Sequence, residues 1–161
     1  MQNERDAFVT MLIDFYGIKD YHQFPEWEKC ETITNKNERV DCLESAMKKD
    51  IEDMIRWRFI PYIQLHEFEA LLLNKFDVYE QNFQKSELKN IVELKRLTNI
   101  ENPEMINSDN PPSKRLSELI SRYNKILYGA CIAASIGLDN IRSKCPRFNN
   151  WIETLEKICK E

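Results

Sequence analysis

The residues of this sequence with the most chemical potential are carboxylates. Asp14 follows the apolar run Ala7 to Ile13, and the block His66-Glu67-Phe68-Glu69 follows a second apolar run that ends at Leu65. Charged groups this close to core segments need partners or a task. Three carboxylates supply hard oxygen donors, which suit Mg²⁺ or Mn²⁺ rather than zinc. The block looks like the zinc motif His-Glu-x-x-His, but Ala70 stands where the second histidine belongs, so that chemistry is excluded. If residues 66–74 are helical, His66 and Glu69 share a face and Glu67 points about 100° away. The plainer reading is helix-start decoration, because carboxylates complement the positive end of a helix. Zinc held by His22, Cys30, Cys42 and His66 has the ligand types, but nothing in their spacing favours it.

A second set of residues is basic. Ser113, Lys114 and Arg115 open the segment "PPSKRLSELISRYNKILYG", in which Arg115, Arg122 and Lys125 fall within about 80° of one another on a helical wheel. Residues 111–147 hold seven basic and two acidic side chains. Such a helix is either a solvated cationic face or a phosphate-contacting one, the latter assisted by Ser113 and the free N–H groups at the helix start. Aromatic residues are not interleaved with the basic ones, so the nucleic-acid signal rests on charge. The glycine-rich phosphate loop, the dinucleotide turn and the serine-hydrolase elbow are all missing from the sequence.

The elements that must position these groups follow from the hydrophobic pattern. "AFVTMLIDFYG" reads as a strand buried on both faces, ending near Asp14. Val40, Leu43, Met47, Ile51 and Met54 recur at helical spacing and predict a helix over about 38–56. "RFIPYIQL" predicts a second strand, with Pro61 indicating an edge or a bulge. Strand, helix, strand implies a parallel pair joined by a right-handed crossover. Ligands of open α/β sheets lie outside the carboxyl ends of the strands, where Asp14 and the His66–Glu69 block both fall. Beyond Leu65 the pattern is helical, over about 66–74, 84–97, 113–128 (with Ser113 as N-cap), 129–136 and 147–159. The fold class is α/β, a parallel sheet of two strands followed by a helical C-terminal half. Residues 1–161 form one domain, with the acidic βαβ core over 1–74 and the helical extension over 75–161. Two strands alone make a marginal sheet, so a further strand is expected from elsewhere.

Bulk properties narrow the function classes. The 161 residues are 42% hydrophobic and 31% charged, enough for a real core. Mean hydropathy is −0.57 and no apolar run approaches the ~18 residues of a membrane span. The start "MQNERDAF" lacks the profile of a secretory signal. Five cysteines, with no Cys-x-x-Cys pair, predict reduced thiols and a cytoplasmic protein. Net charge is −4, yet residues 1–110 sum to −8 and residues 111–161 to +4. That split suits a site where acids hold a metal and bases hold a phosphate, and equally an ordinary surface.

The order of the segments "FVTMLIDFYG", "FP", "RFIPYIQLHEFEALL", "PEMIN", "PSKRL", "YNKILYG" and "IGLDNIRSKCPRFNNWI" resembles the DUF4276 family, from about Phe8 to Leu155. That family is similar to TOPRIM-like metal-dependent nucleases, and its members accompany ATPase subunits in anti-phage defence systems, including the PARIS type. The resemblance implies an Mg²⁺ (or Mn²⁺) site built from Asp14 with Glu67 or Glu69, near Ser113, Lys114 and Arg115. It implies His66 as a proton-transfer or carboxylate-orienting group, and Lys114 or Arg115 as the stabiliser of charge on the phosphoryl oxygens. An ATPase subunit and a DNA or RNA substrate are the implied partners, with a homo-oligomer possible and no membrane.

The departures from the family are specific. Members usually begin with a further strand and helix carrying a glutamate, which this sequence lacks, and the usual Asp-x-Asp reads Asp14-Phe15-Tyr16. Asn74-Lys75 stands where members tend to have Ser-Asp, and Arg147 where a histidine is common. The sequence therefore reads as the C-terminal two-thirds of a nuclease, a poor catalyst alone. The edge of its first strand is expected to be filled by a second copy, an N-terminal piece or rearrangement. The alternative is a non-catalytic interaction module that docks on an ATPase partner or nucleic acid through its basic helices. A third reading is a helical scaffold whose charges only pair with one another.

Overall fold

The computed structural model describes residues 7–19, 22–106 and 109–160. The chain divides into two compact units, residues 1–65 and residues 66–161, so the division falls directly before the His66–Glu69 block. Each is described by itself.

The first unit is built on a two-stranded parallel sheet, β1 (Val9–Asp14) beside β2 (Phe59–Gln64), in the register Val9 with Phe59 through Asp14 with Gln64. The helices α1 (Trp27–Glu31), α2 (Lys36–Lys49) and α3 (Asp53–Arg56) lie between the strands in sequence. The expected parallel pair is present, but the single helix over 38–56 is two. Asn35 caps α2 by accepting from the N–H groups of Asn37 and Glu38, and the chain leaves the helix at Asp50. Val40, Leu43 and Ala46 form its buried stripe. Val40 and Leu43 share a core with Phe15, Ile18, Cys30, Ile63 and Leu65. This packing of a helix against β2 is what lets two strands persist.

The strands differ from expectation in their burial. The first does not lie buried on both faces: Val9 is 40% and Leu12 37% exposed. An apolar run cannot report how many neighbours its strand acquires, and among the described residues β1 has one. In β2, by contrast, every residue except Pro61 is buried. Its outer edge is closed chemically. The bond from Val9 N–H to Arg58 O, 2.9 Å, sets the ladder phase, so the N–H of Ile63 points away from β1, as that of residue 61 would. Pro61 has no N–H to offer, and the N–H of Ile63 donates to Glu44 Oε1 of α2 at 2.7 Å. A proline and a carboxylate thus terminate the sheet on that side.

Cys30 and Cys42 form a disulfide that ties α1 to α2. This corrects the expectation of five reduced thiols. Sequence spacing could not signal it, since the two cysteines meet only once both helices pack on one core. Closing a loop with a sequence separation of 12 removes denatured-state entropy equivalent to about 3 kcal/mol.

The second unit is helical: α4 (Glu69–Leu72), α5 (Phe76–Asn82), α6 (Ile91–Thr98), α7 (Pro112–Leu119), α8 (Lys125–Ile136), α9 (Leu138–Lys144) and α10 (Pro146–Ile158). α4 is buried at every residue, Glu69 included, and it packs against α7, α8 and the 3₁₀ turn Pro103–Met105. Only α10 closely follows its predicted range. The helix over 84–97 starts at Ile91, because residues 87–89 pair with 119–121 instead: Lys89 N–H donates to Leu119 O and Ser121 N–H to Glu87 O, both at 2.8 Å. Gly129 does not break α8, whereas Gly137, at φ 81°, does separate α8 from α9. Lys144 fastens the unit by donating from Nζ to Asn74 O at 2.8 Å and Thr98 O at 3.0 Å. No helix is long and apolar enough to cross a membrane among the described residues.

Candidate functional site

Asp14 closes β1 in the first unit, half-buried, at the entry to a 3₁₀ turn over Phe15–Gly17. The other candidates lie in the second unit. His66 is buried, at 2% exposure. Glu67 and Glu69 enter and begin α4, whose apolar Ala70, Leu71 and Leu72 anchor the segment in the core. Two residues apart on so short a helix, the carboxylates diverge in environment. Glu67 is half-buried and Glu69 is 5% exposed.

Glu67 is already employed. Its Oε2 accepts the N–H of Ser113 at 2.9 Å. This overturns the expectation that Ser113 caps its own helix: Pro111 holds the cap position, Pro112 the first turn, and neither offers a capping side chain. A carboxylate delivered from α4 satisfies the helix start instead, with the favourable charge for that end. The same device recurs at α10, which also begins with a proline. There Glu104, 1% exposed, accepts the N–H of Arg147 at Oε2 (2.9 Å) and that of Phe148 at Oε1 (3.0 Å). Glu104 lies in the segment "PEMIN", but sequence reasoning gave it no role.

Glu69 has no helix to cap. Burial holds its carboxyl above the usual range; its own backbone N–H opposes this, the charge of Glu67 reinforces it, and Lys125 also opposes it. Lys125 sits in the first turn of α8, the wrong end of a helix for a cation, and its charge is the smallest of the influences on Glu69. Two tyrosines complete the surroundings. Tyr79, fully buried, donates its hydroxyl to Leu72 O at 2.9 Å. The Tyr123 hydroxyl is buried without a hydrogen bond, and burial, then Glu69, then Glu67 keep it protonated. Around Tyr123 the apolar Leu116, Leu119 and Ile120 are buried, whereas Leu127 is exposed.

The basic residues do not share one helical face, contrary to expectation. Lys114 and Arg115 belong to α7, Lys125 to α8, and Arg122 lies between them with φ 58°. The predicted helix over 113–128 breaks because Ile120 pairs with Leu88 as an isolated bridge. Arg115 Nε donates to Asn110 O at 2.6 Å, and Lys114 lies 4.0 Å from Glu118, exposed. Such a surface pair contributes little.

The Glu69 environment has a measurable consequence. An acid held above its ordinary value of 4.5 binds its proton more tightly folded than unfolded, so it detracts from stability as pH rises through and above that value. Glu69→Gln is therefore expected to gain on the wild type progressively between pH 4.5 and neutrality. Urea midpoints measured across that range test it, and a gain that did not vary with pH would refute the assignment.

Within the second unit, no group of three or more His, Cys, Asp or Glu side chains is placed to hold a metal ion among the described residues. Two carboxylates are nevertheless within the habit of Mg²⁺, which usually takes one or two from a protein and fills the remaining positions with water and phosphate. Glu67 Oε2 is committed to Ser113, which leaves Oε1 for a second partner. No curated protein and no solved structure matches the chain. Residues 1–156 match the model of the family described as Domain of unknown function (DUF4276), and the chain belongs to that family.

Proposed function

We propose that the chain carries the metal-binding carboxylates of an Mg²⁺-dependent nuclease of TOPRIM-like type, the effector of an anti-phage defence system that works with an ATPase partner. The observation that supports this reading best is the Glu67–Glu69 pair, placed beside a lysine and beside a tyrosine hydroxyl that lacks a partner. A buried carboxylate held above its normal range, next to a second one, is costly to the fold and typical of sites that need it.

The roles divide by residue. Glu69 and Glu67, through Oε1, are the oxygen donors of the second unit, and Asp14 is the candidate donor that the first unit carries. A Mg²⁺ ion bound there would polarise the phosphodiester and acidify a water. Lys114 and Arg115, in the first turn of α7, stabilise charge on the phosphoryl oxygens. His66 orients a carboxylate or transfers a proton. Cleavage of labelled DNA and RNA by the chain, with Mg²⁺ or Mn²⁺ and in EDTA, tests the reading. Turnover is expected only with metal, and Asp14→Asn or Glu69→Gln should abolish it. Metal-independent cleavage, or cleavage that both variants retain, rules it out.

A second reading has its own observation in favour. The Glu67 oxygen that caps α7 gives that carboxylate a structural task, which suits a non-catalytic module docking on an ATPase or nucleic acid through Arg115, Arg122 and Lys125. That module would bind in a salt-sensitive manner without metal.

A further inference from the structure

The second unit holds an open cleft of about 850 Å³, bounded by the start of α5, one side of α6 and the last turn of α9. Sites for small molecules span roughly 300–1,000 Å³, so the space is ample for one. The floor of the cleft is fixed by hydrogen bonds. Asn74, 2% exposed, donates from Nδ2 to Asn140 O at 2.8 Å, and its own carbonyl accepts from Lys144 Nζ at 2.8 Å. Lys144 gives a second N–H to Thr98 O at 3.0 Å. An ammonium has three donors, so one is left for a ligand.

Three ammonium groups line this cleft, those of Lys75, Lys95 and Lys144, and none of them forms an ion pair among the described residues. Asp77 and Glu80 line it too, yet pair with none of the three. Helix ends account for part of the pattern, because Lys95 and Lys144 lie in the last turns of α6 and α9, where cations are favoured. Lys75 is the exception. It stands at the N-cap of α5, the end where a cation is disfavoured. Its charge also reaches Lys144: burial holds that ammonium below the usual lysine range, Cys145 opposes this, and Lys75 reinforces it. Like charges gathered on one cleft attract an anion into it. The apolar part of the wall is Phe76, with Lys95 Nζ 4.6 Å from its ring centroid, and Val92, 80% exposed.

We infer that this cleft binds a free nucleoside phosphate, its phosphate chain on Lys75, Lys95 and Lys144 and its base against Phe76 and Val92. The sugar hydroxyls and the amino groups of a base are donors, and Asp77 and Glu80 supply acceptors for them on the same cleft. Side chains here take the place of the glycine-rich phosphate loop that the sequence lacks. The site goes beyond the acidic-site reading and does not rest on it, since neither Glu67 nor Glu69 lines the cleft.

Calorimetric titration of the whole chain in EDTA tests the inference, with ATP, adenosine, tripolyphosphate and a 5′-phosphorylated oligonucleotide as probes. ATP is expected to bind, and each of the other three to bind at least about tenfold more weakly, because each lacks the ring, the phosphate chain or the compact shape. Lys75→Ala and Lys95→Ala remove exposed side chains and should fold as the wild type does. Each should weaken ATP about ten- to a hundredfold, the scale of one charge-assisted contact. Lys85→Ala, an exposed lysine outside the cleft, and Glu67→Gln/Glu69→Gln should both keep wild-type affinity. Absence of ATP binding, equal binding of tripolyphosphate or of the oligonucleotide, or full affinity in Lys75→Ala/Lys95→Ala overturns the inference. An equal loss in Lys85→Ala would reveal diffuse charge attraction, and a loss in Glu67→Gln/Glu69→Gln would move the ligand to the acids; either result also overturns it.

Discussion

Replacing Glu104 by alanine is expected to remove about 3–5 kcal/mol of folding stability. The carboxylate is 1% exposed and accepts two backbone N–H groups, from Arg147 and Phe148, in the first turn of α10. Each is a charge-assisted bond, and each donor is left orphaned near the core when the acceptor is removed, at roughly 1.5–3 kcal/mol apiece. Pro146 removes one orphan N–H from the helix start, but the chain supplies no local capping side chain to take over. Glu104→Gln retains one acceptor oxygen and turns an NH₂ group towards the second donor, so it should lose a large part of the same stability. In urea the midpoint should fall with little change in slope. A loss under about 1 kcal/mol for the alanine variant would show that solvent reaches the start of α10. The neighbouring Cys145 gives an internal check. Burial, and then the charge of Glu104, push its thiol up to about 12, so it should resist alkylation at neutral pH while α10 stays docked.

This glutamate also marks where the sequence stops being informative. Periodicity located β2, the core face of α2 and the extent of α10, because burial in those places follows from local pattern. Proline at residue 61 correctly signalled a sheet boundary, since a missing N–H has a fixed consequence wherever the strand lies. The failures involve partners distant in sequence. Glu104 caps a helix 43 positions away, Glu67 caps one 46 away, and neither leaves a local signature. The break after α7 is caused by Leu88, which draws Ile120 into an extended bridge against its helical surroundings. Cys30 and Cys42 look unremarkable until α1 and α2 share a core. The acidic block itself was visible as three titratable groups beside an apolar run. Which of them is occupied, and by what, was not.

Glu67 is where the two demands on this chain meet, and substitutions can separate them. Glu67→Ala is expected to destabilise the second unit by about 1–2 kcal/mol, the value of a lost helix cap, because the Ser113 N–H loses its acceptor and neither Pro111 nor Pro112 can replace it. It should also reduce metal-dependent cleavage by about 10²–10³, the usual cost of deleting one preorganised group at a reacting centre. Glu67→Gln splits the pair of effects. Its amide oxygen still accepts from Ser113, so stability should stay within about 0.5 kcal/mol of wild type, the scale of a neutral surface change. Its missing charge weakens the hold on a cation, so cleavage should remain as low as in the alanine variant. The neighbouring Glu69 sharpens the comparison, because removing the Glu67 charge relieves one of the influences that hold its carboxyl high, and the loss of stability as pH rises from 4.5 towards neutrality should soften in both variants. Cleavage at wild-type rate by Glu67→Gln would identify Glu67 as the cap of α7 alone and remove it from the metal-binding carboxylates.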